Sequence, residues 1–222
     1  MSRSRCPTAT AQAISHHRMH ITRKIRNVLR GLRQVWGTSR VKQRLWDKEF
    51  AEGRWDFIES TGGDVIYPFI EKYARNGSIL DLGCGSGNTG CELNADSYKE
   101  YTGVDISDVA LEKARFRSKN CQRGEKNRYG RSDISAYIPD AKYDVILFRE
   151  SIYYIPRTRI KPTLERYSRY LKEGGVLIVR WHDRSVAQDL LKLIRSRFII
   201  IENYSPEPSG PVVLIFRPEV AA

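Results

Sequence analysis

The sequence predicts an α/β domain built on a doubly wound, mostly parallel seven-stranded sheet, with helices on both faces and an antiparallel hairpin at its C-terminal end. Short apolar runs at about 78–82, 100–105, 127–131, 143–149 and 175–180 alternate with helical stretches near 88–95, 107–118, 158–171 and 185–195. That alternation favours parallel strands joined by crossover helices. The alternation then breaks: 198–202 and 212–216 are β-rich runs, and the link between them holds Pro206, Pro208 and Gly210 with no room for a helix. Strands joined in this way pair antiparallel. A chain of 222 residues accommodates one such domain with a modest extension.

Composition places the extension at the start. Hydrophobic residues make up 41% and charged residues 29%, ordinary for a globular chain. The net charge of +12 suggests a nucleic-acid partner until it is mapped: residues 1–45 hold eleven basic side chains and no carboxylate. Of the 38 basic residues, 27 remain for 46–222 against 26 acidic ones, so the body is nearly neutral. Residues 1–20 are polar and aperiodic and are expected to be a disordered tail; Met19 is an alternative start. Within 21–45, Ile21, Ile25, Val28, Leu29, Leu32, Val35 and Trp36 recur at helical spacing among Arg23, Lys24, Arg26, Arg30 and Arg33, which predicts a basic amphipathic arm. The folded domain is expected over 46–222.

Cys6, Cys84, Cys91 and Cys121 form no CxxC pair and have no histidine at ligand spacing, so neither a metal site nor a disulfide framework is expected. No apolar run reaches the roughly 20 residues that span a bilayer, and the expected location is the cytoplasm. Past the arm, Trp46 to Phe57 is aromatic and charged, and 64–74 reads as a helix stopped by Asn76-Gly77.

The first strand carries the strongest chemical signal. Ile79-Leu80-Asp81-Leu82 runs into Gly83-Cys84-Gly85-Ser86-Gly87, a turn in which backbone can approach a ligand closely. A dinucleotide fingerprint needs its third glycine at position 88, where Asn88 stands. Asp81 would also repel a pyrophosphate, whereas it would attract an ammonium group. Strand two, Tyr101-Thr102-Gly103-Val104-Asp105, ends in a carboxylate about 20 residues after the glycines, placed to accept ribose hydroxyls.

These segments resemble motif I and its companion in class I S-adenosylmethionine (SAM)-dependent methyltransferases, and the resemblance extends over roughly 46–217. It implies SAM as cofactor, with contacts from Asp81, Gly83, Cys84, Gly85, Asp105 and Ile106. Arg131-Ser132-Asp133-Ile134 is similar to the family's adenine-contacting segment; Asp133 as a helix N-cap is an equal and compatible reading. Arg149, closing strand four, completes the expected cofactor contacts. Tyr170 to Gly175 resembles the family's turn into strand five. Trp46-Asp47-Lys48-Glu49-Phe50 with Gly53 and Trp55 resembles the opening segment of thiopurine and related small-molecule methyltransferases, which implies that Trp46 covers the cofactor. Plain hydrophobic anchoring of that segment is the alternative.

The acceptor site of such a sheet lies beyond strands four and five, near Arg149, Glu150, Ser151, Tyr153, Tyr154, Trp181, His182 and Asp183. Tyr153 and Tyr154 resemble the paired tyrosines of nodulation-factor N-methyltransferases, which act on an amino sugar. His182, the one histidine beyond residue 20, is the candidate base, with a structural donor as its other reading. The Asn/Asp-Pro-Pro-Tyr signature of amino-methylating DNA enzymes is absent. The leading expectation is transfer to an oxygen or nitrogen of a small molecule or saccharide; the second is RNA or protein methylation with the basic arm holding the substrate. The arm is expected to dock peripherally on an anionic membrane or on a partner, or to pack on the body, and a transit peptide is a further reading for a eukaryotic source.

Overall fold

The computed structural model describes residues 27–58, 62–182, 184–206 and 210–219. The expected polar tail at 1–20 and the beginning of the arm, 21–26, lie outside the described residues, as does Asp183. Seven strands, β1 Gly77–Leu82, β2 Tyr98–Asp105, β3 Asn127–Arg131, β4 Tyr143–Arg149, β5 Leu171–Trp181, β6 Phe198–Tyr204 and β7 Val212–Pro218, form one sheet in the order β3-β2-β1-β4-β5-β7-β6. The pairs among β1 to β5 are parallel, and β7 runs antiparallel to both β5 and β6. The C-terminal hairpin is therefore present as expected, with its second strand wedged against the parallel body. Strand order reverses between β1 and β4, which opens a crevice at their carboxyl ends.

The helices are α1 over 27–36, α2 Ser39–Ala51, α3 Tyr67–Ala74, α4 Asn88–Glu92, α5 Asp108–Asn120, α6 Arg157–Ser168 and α7 Arg184–Arg195. Local chemistry sets their ends. Thr38 caps α2 and Ser107 caps α5, the latter accepting from the Ala110 amide at 3.1 Å. Pro68 falls in the first turn of α3, and Arg75 closes that helix in the left-handed region.

Strand periodicity divides the core in two. Along β4, Ile146 and Phe148 join Leu177, Val179 and Phe216 beneath α6 and α7, while Val145 and Leu147 join Ile178, Ile215 and Ile70 of α3 on the other face. Each such side chain contributes about 1.5–3 kcal/mol of burial.

Three expectations need correction. Strand β5 begins at Leu171 rather than near 175, because Leu171 pairs with Tyr143 before a register shift, and α6 stops at Ser168 accordingly. Helix α4 ends at Glu92, where Leu93 turns extended. Cys91 and Cys121 form a disulfide with Cα atoms 6.0 Å apart, so a framework absent from any local motif is made by the fold itself. It ties α4 to the end of α5, the two helices that leave the carboxyl ends of β1 and β2.

The arm helix also differs in orientation. The side of α1 turned to the body is polar: Gln34 is buried and Arg30 pairs with Glu49 of α2. Its apolar residues Val28, Leu29, Leu32 and Trp36 are exposed. The docked face is thus not the apolar stripe.

Candidate active site

The crevice between β1 and β4 is roofed by α1 and α2, leaving one cavity of about 560 Å³. The ten expected cofactor contacts, Trp46, Asp81, Gly83, Cys84, Gly85, Asp105, Ile106, Asp133, Ile134 and Arg149, line it together with Tyr153, Tyr154 and His182. They come together because parallel strands deliver their carboxyl ends to one edge of the sheet.

The floor is the β1–α4 turn. Gly83 has φ +84°, and a Cβ there would meet the Ser151 Cβ at 2.5 Å, so no side chain fits. Ser151 in turn donates to the Leu82 carbonyl, clasping the ends of β1 and β4. Gly87, with φ +79°, opens α4, and its Cβ would meet that of Ala114 at 2.8 Å.

Two carboxylates face this floor. Asp105 accepts from the Gly85 amide at 2.9 Å and from the Ser107 amide at 2.9 Å, which ties the glycine turn to the end of β2. Burial pushes its pKa up against those bonds. Asp81 Oδ2 accepts from the Tyr101 hydroxyl at 2.5 Å. Its Oδ1 is buried and accepts no hydrogen bond among the described residues. Burial raises the Asp81 carboxyl to about 6, with the Tyr101 hydrogen bond pulling the other way. Cys84, the free buried thiol beside them, is also pushed up by burial.

A charge network lines the cavity beside Asp81, whose carboxylate acts on the Arg149 guanidinium. Arg149 Nη2 pairs with Asp64 at 2.7 Å, and Arg180 reaches the same Asp64 at 3.2 Å. Arg180 also pairs with Glu150, whose other oxygen accepts from the Tyr153 hydroxyl at 2.6 Å. Glu150 holds φ +53°, a left-handed conformation sparsely populated outside glycine, which aims its carboxylate at both partners. Burial drives the Tyr153 hydroxyl well up and the Tyr154 hydroxyl up to about 12. Both therefore stay protonated near neutrality, so they serve as donors and aromatic walls rather than bases. His182 stands exposed at the mouth of the cavity.

The roof is aromatic and pinned. Trp46 meets Tyr154 edge-on at 4.8 Å and Trp55 at 5.5 Å. Glu49 is buried, accepts from Trp55 Nε1 at 3.0 Å and holds the Arg30 guanidinium of α1. Asp47 accepts from the Ser107 hydroxyl at 2.7 Å, fastening α2 to the start of α5. The Trp46 segment anchors to the body, and Trp46 lines the cavity.

Asp133 sits at the edge. Its Oδ1 accepts from the Ser135 amide at 2.9 Å, and its Oδ2 accepts from the Ser39 hydroxyl at 3.1 Å beside Lys42 at 3.6 Å. It organises a turn rather than capping a helix. Trp181, expected near the acceptor, is 1% exposed and lies in the core, since along β5 it points opposite to Arg180 and His182. Gln34, Lys42, Glu49, Asp64 and Arg180 line or frame the site without having been expected there. The period-two alternation that carries His182 to the cavity also carries Arg180, so that one was accessible; Asp64 had no local signal.

Comparison with known proteins agrees with this geometry. Residues 74–204 match the family of methyltransferase domains. The chain belongs to that family. A 27-O-demethylrifamycin SV methyltransferase of Amycolatopsis mediterranei is 26% identical over 142 residues, covering 60% of this chain and 51% of the relative. The tRNA N(3)-methylcytidine methyltransferase of Schizosaccharomyces pombe is 26% identical over 181 residues, covering 73% and 56%. The chain spans about half the length of the curated relatives it matches. Among solved structures, the N-methyltransferase NodS of Bradyrhizobium japonicum bound to S-adenosylhomocysteine superposes with a TM-score of 0.63 at 15% identity, covering 79% of this chain and 97% of the other. The fold is that of class I SAM-dependent methyltransferases.

SAM fits the residues present. It carries an ammonium group, a ribose diol and an adenine, and the buried Oδ1 of Asp81, which accepts no hydrogen bond among the described residues, offers the ammonium an acceptor. Asp105 keeps lone pairs beyond the two backbone bonds it accepts.

Proposed function

We propose that this SAM-dependent methyltransferase transfers a methyl group to an oxygen or nitrogen of a small molecule or saccharide. The observation that carries the reading is the aromatic wall: Trp46, Trp55, Tyr153 and Tyr154 line the roofed cavity, about 560 Å³ with the cofactor's own space included, and give it surfaces suited to a ring. Asp81, Asp105 and Ile106 would hold the methionyl amine and the ribose, with Asp133 and Ile134 at the adenine end and Arg149 at the amino-acid end. SAM supplies a methyl already activated by the adjacent sulfonium.

The chain's own task is then alignment and exclusion of water. The α1–α2 roof covers the cavity. The Arg180–Glu150–Tyr153 chain fixes one wall, so the Tyr153 hydroxyl and the ring of Tyr154 orient the acceptor. Glu150 is engaged by Arg180 and the tyrosines hold their protons, which leaves His182 at the mouth as the side chain to receive a proton from an acceptor hydroxyl or ammonium.

RNA methylation is the second reading, favoured by the likeness to the tRNA enzyme and by the basic arm. The test is to incubate the protein with methyl-labelled SAM and a cell extract separated into low-mass, RNA and protein fractions. Label in the low-mass fraction supports the proposal; label confined to RNA or protein overturns it.

A further inference from the structure

We propose that the outer face of α1 docks the enzyme on an anionic lipid surface. The idea does not depend on the acceptor. It rests on an inversion of the usual arrangement, in which an amphipathic helix buries its apolar stripe and exposes its polar one. Here Arg30 and Gln34 face the body, while Val28, Leu29, Leu32 and Trp36 are 63%, 47%, 52% and 62% exposed.

At about 100° per residue these four fall within an arc of about 100° on the helix, and Gln34 lies roughly opposite. The polar face is held there by buried chemistry, since Arg30 pairs with Glu49 and Glu49 is fixed by Trp55. Turning the stripe inward would strand the Glu49 carboxylate beneath the roof. The outward orientation is therefore built in.

Charge selects the occupant. Arg33 is exposed on α1 next to the stripe, Arg40 and Arg44 are exposed on the following helix α2, and the segment 1–45 contains no acidic residue. A second copy of the chain would bring the same positive charge to the contact. RNA would satisfy the arginines but offers no apolar phase for Val28, Leu29 and Leu32. An anionic bilayer satisfies both: acyl chains accept the stripe, headgroups accept the arginines, and Trp36 sits at the boundary its indole prefers. No described helix is long and apolar enough to cross a membrane, so the contact lies in the surface plane.

The test is co-sedimentation of the full chain with vesicles of phosphatidylcholine alone and of a 3:1 mixture (about one-quarter anionic) with phosphatidylglycerol. The expected result is pelleting with the anionic vesicles, weakened by salt, and a loss on the order of tenfold in the variant Leu29→Glu/Leu32→Glu. That variant should keep its melting temperature and its affinity for S-adenosylhomocysteine; should it unfold, Val28→Ser/Trp36→Ser replaces it. Absence of pelleting, or equal pelleting with neutral vesicles, overturns the proposal. So does pelleting undiminished in both variants, which would mean attraction through basic charge alone. A dimer in gel filtration that the variants dissolve would assign the stripe to a second copy, and overturns it too.

Discussion

Binding of S-adenosylhomocysteine should weaken as the pH falls, because of one buried carboxyl. Asp81 is 1% exposed and its pKa is raised by burial from 3.8 to about 6. Below that value the folded chain without ligand holds a proton on Asp81, and a protonated acid cannot pair with the ligand's ammonium. The ligand amine, with an ordinary pKa of about 7.7–8.0, stays charged throughout this range. Binding then has to expel the proton, so affinity is full above about 6 and falls roughly tenfold for each pH unit below it. Burial pushes Asp105 in the same direction. Calorimetric titration near pH 7 and pH 5 should give dissociation constants differing about tenfold.

Asp81→Asn separates cause from coincidence. It should bind more weakly near pH 7, by the roughly 1.5–3 kcal/mol of a hydrogen bond to a charged group, and lose most of the pH slope. Its stability should move the other way. A raised acid destabilises the fold above its folded pKa, and that cost disappears as the pH drops below the unfolded value. A shift from 3.8 to about 6 corresponds to about 3 kcal/mol, so the ligand-free variant should be more stable than wild type near neutrality by up to that amount. A wild type with pH-independent affinity, or a variant that keeps the full slope, would refute the role given to Asp81.

Three further outcomes follow from the site and the fold. His182→Ala and Tyr153→Phe should lower turnover while leaving S-adenosylhomocysteine affinity unchanged in calorimetry; unaltered turnover in both would leave alignment alone as the mechanism. Gly83→Ala, which drives a methyl into Ser151 at a left-handed φ, should destabilise the fold by about 1–3 kcal/mol and depress cofactor affinity, and a neutral result would contradict the packing described for the turn. Reducing the Cys91–Cys121 bridge, which closes a 30-residue separation, should cost about 3–4 kcal/mol and lower the melting temperature by about 6–15 °C, against no change if the bridge does not form in solution.

The fold was legible wherever one strand or helix had to be amphipathic by itself. The runs in β1 to β4, the turn from Asp81 to Gly87 and the acid at 105 are local patterns, and each lies where its spacing placed it. What escaped notice depends on pairing across the fold. Leu171 extends β5 because Tyr143 is opposite it, and Cys91 meets Cys121 because α4 and α5 leave neighbouring strands. Trp181 was placed with the acceptor from its nearness in sequence to His182, whereas strand alternation turns it into the core. The arm offers the clearest lesson. Its apolar periodicity was visible, but which face docks is decided by the buried Glu49, nineteen residues from Arg30.

The measurement that bears most directly on the account is titration of S-adenosylhomocysteine into the purified chain and into Asp105→Ala. The account predicts saturable binding at one site per chain, weakened about 10- to 150-fold in the variant through loss of the ribose acceptor. Equal affinity in the two proteins, or tighter binding of NADH than of S-adenosylhomocysteine by the wild type, would contradict it.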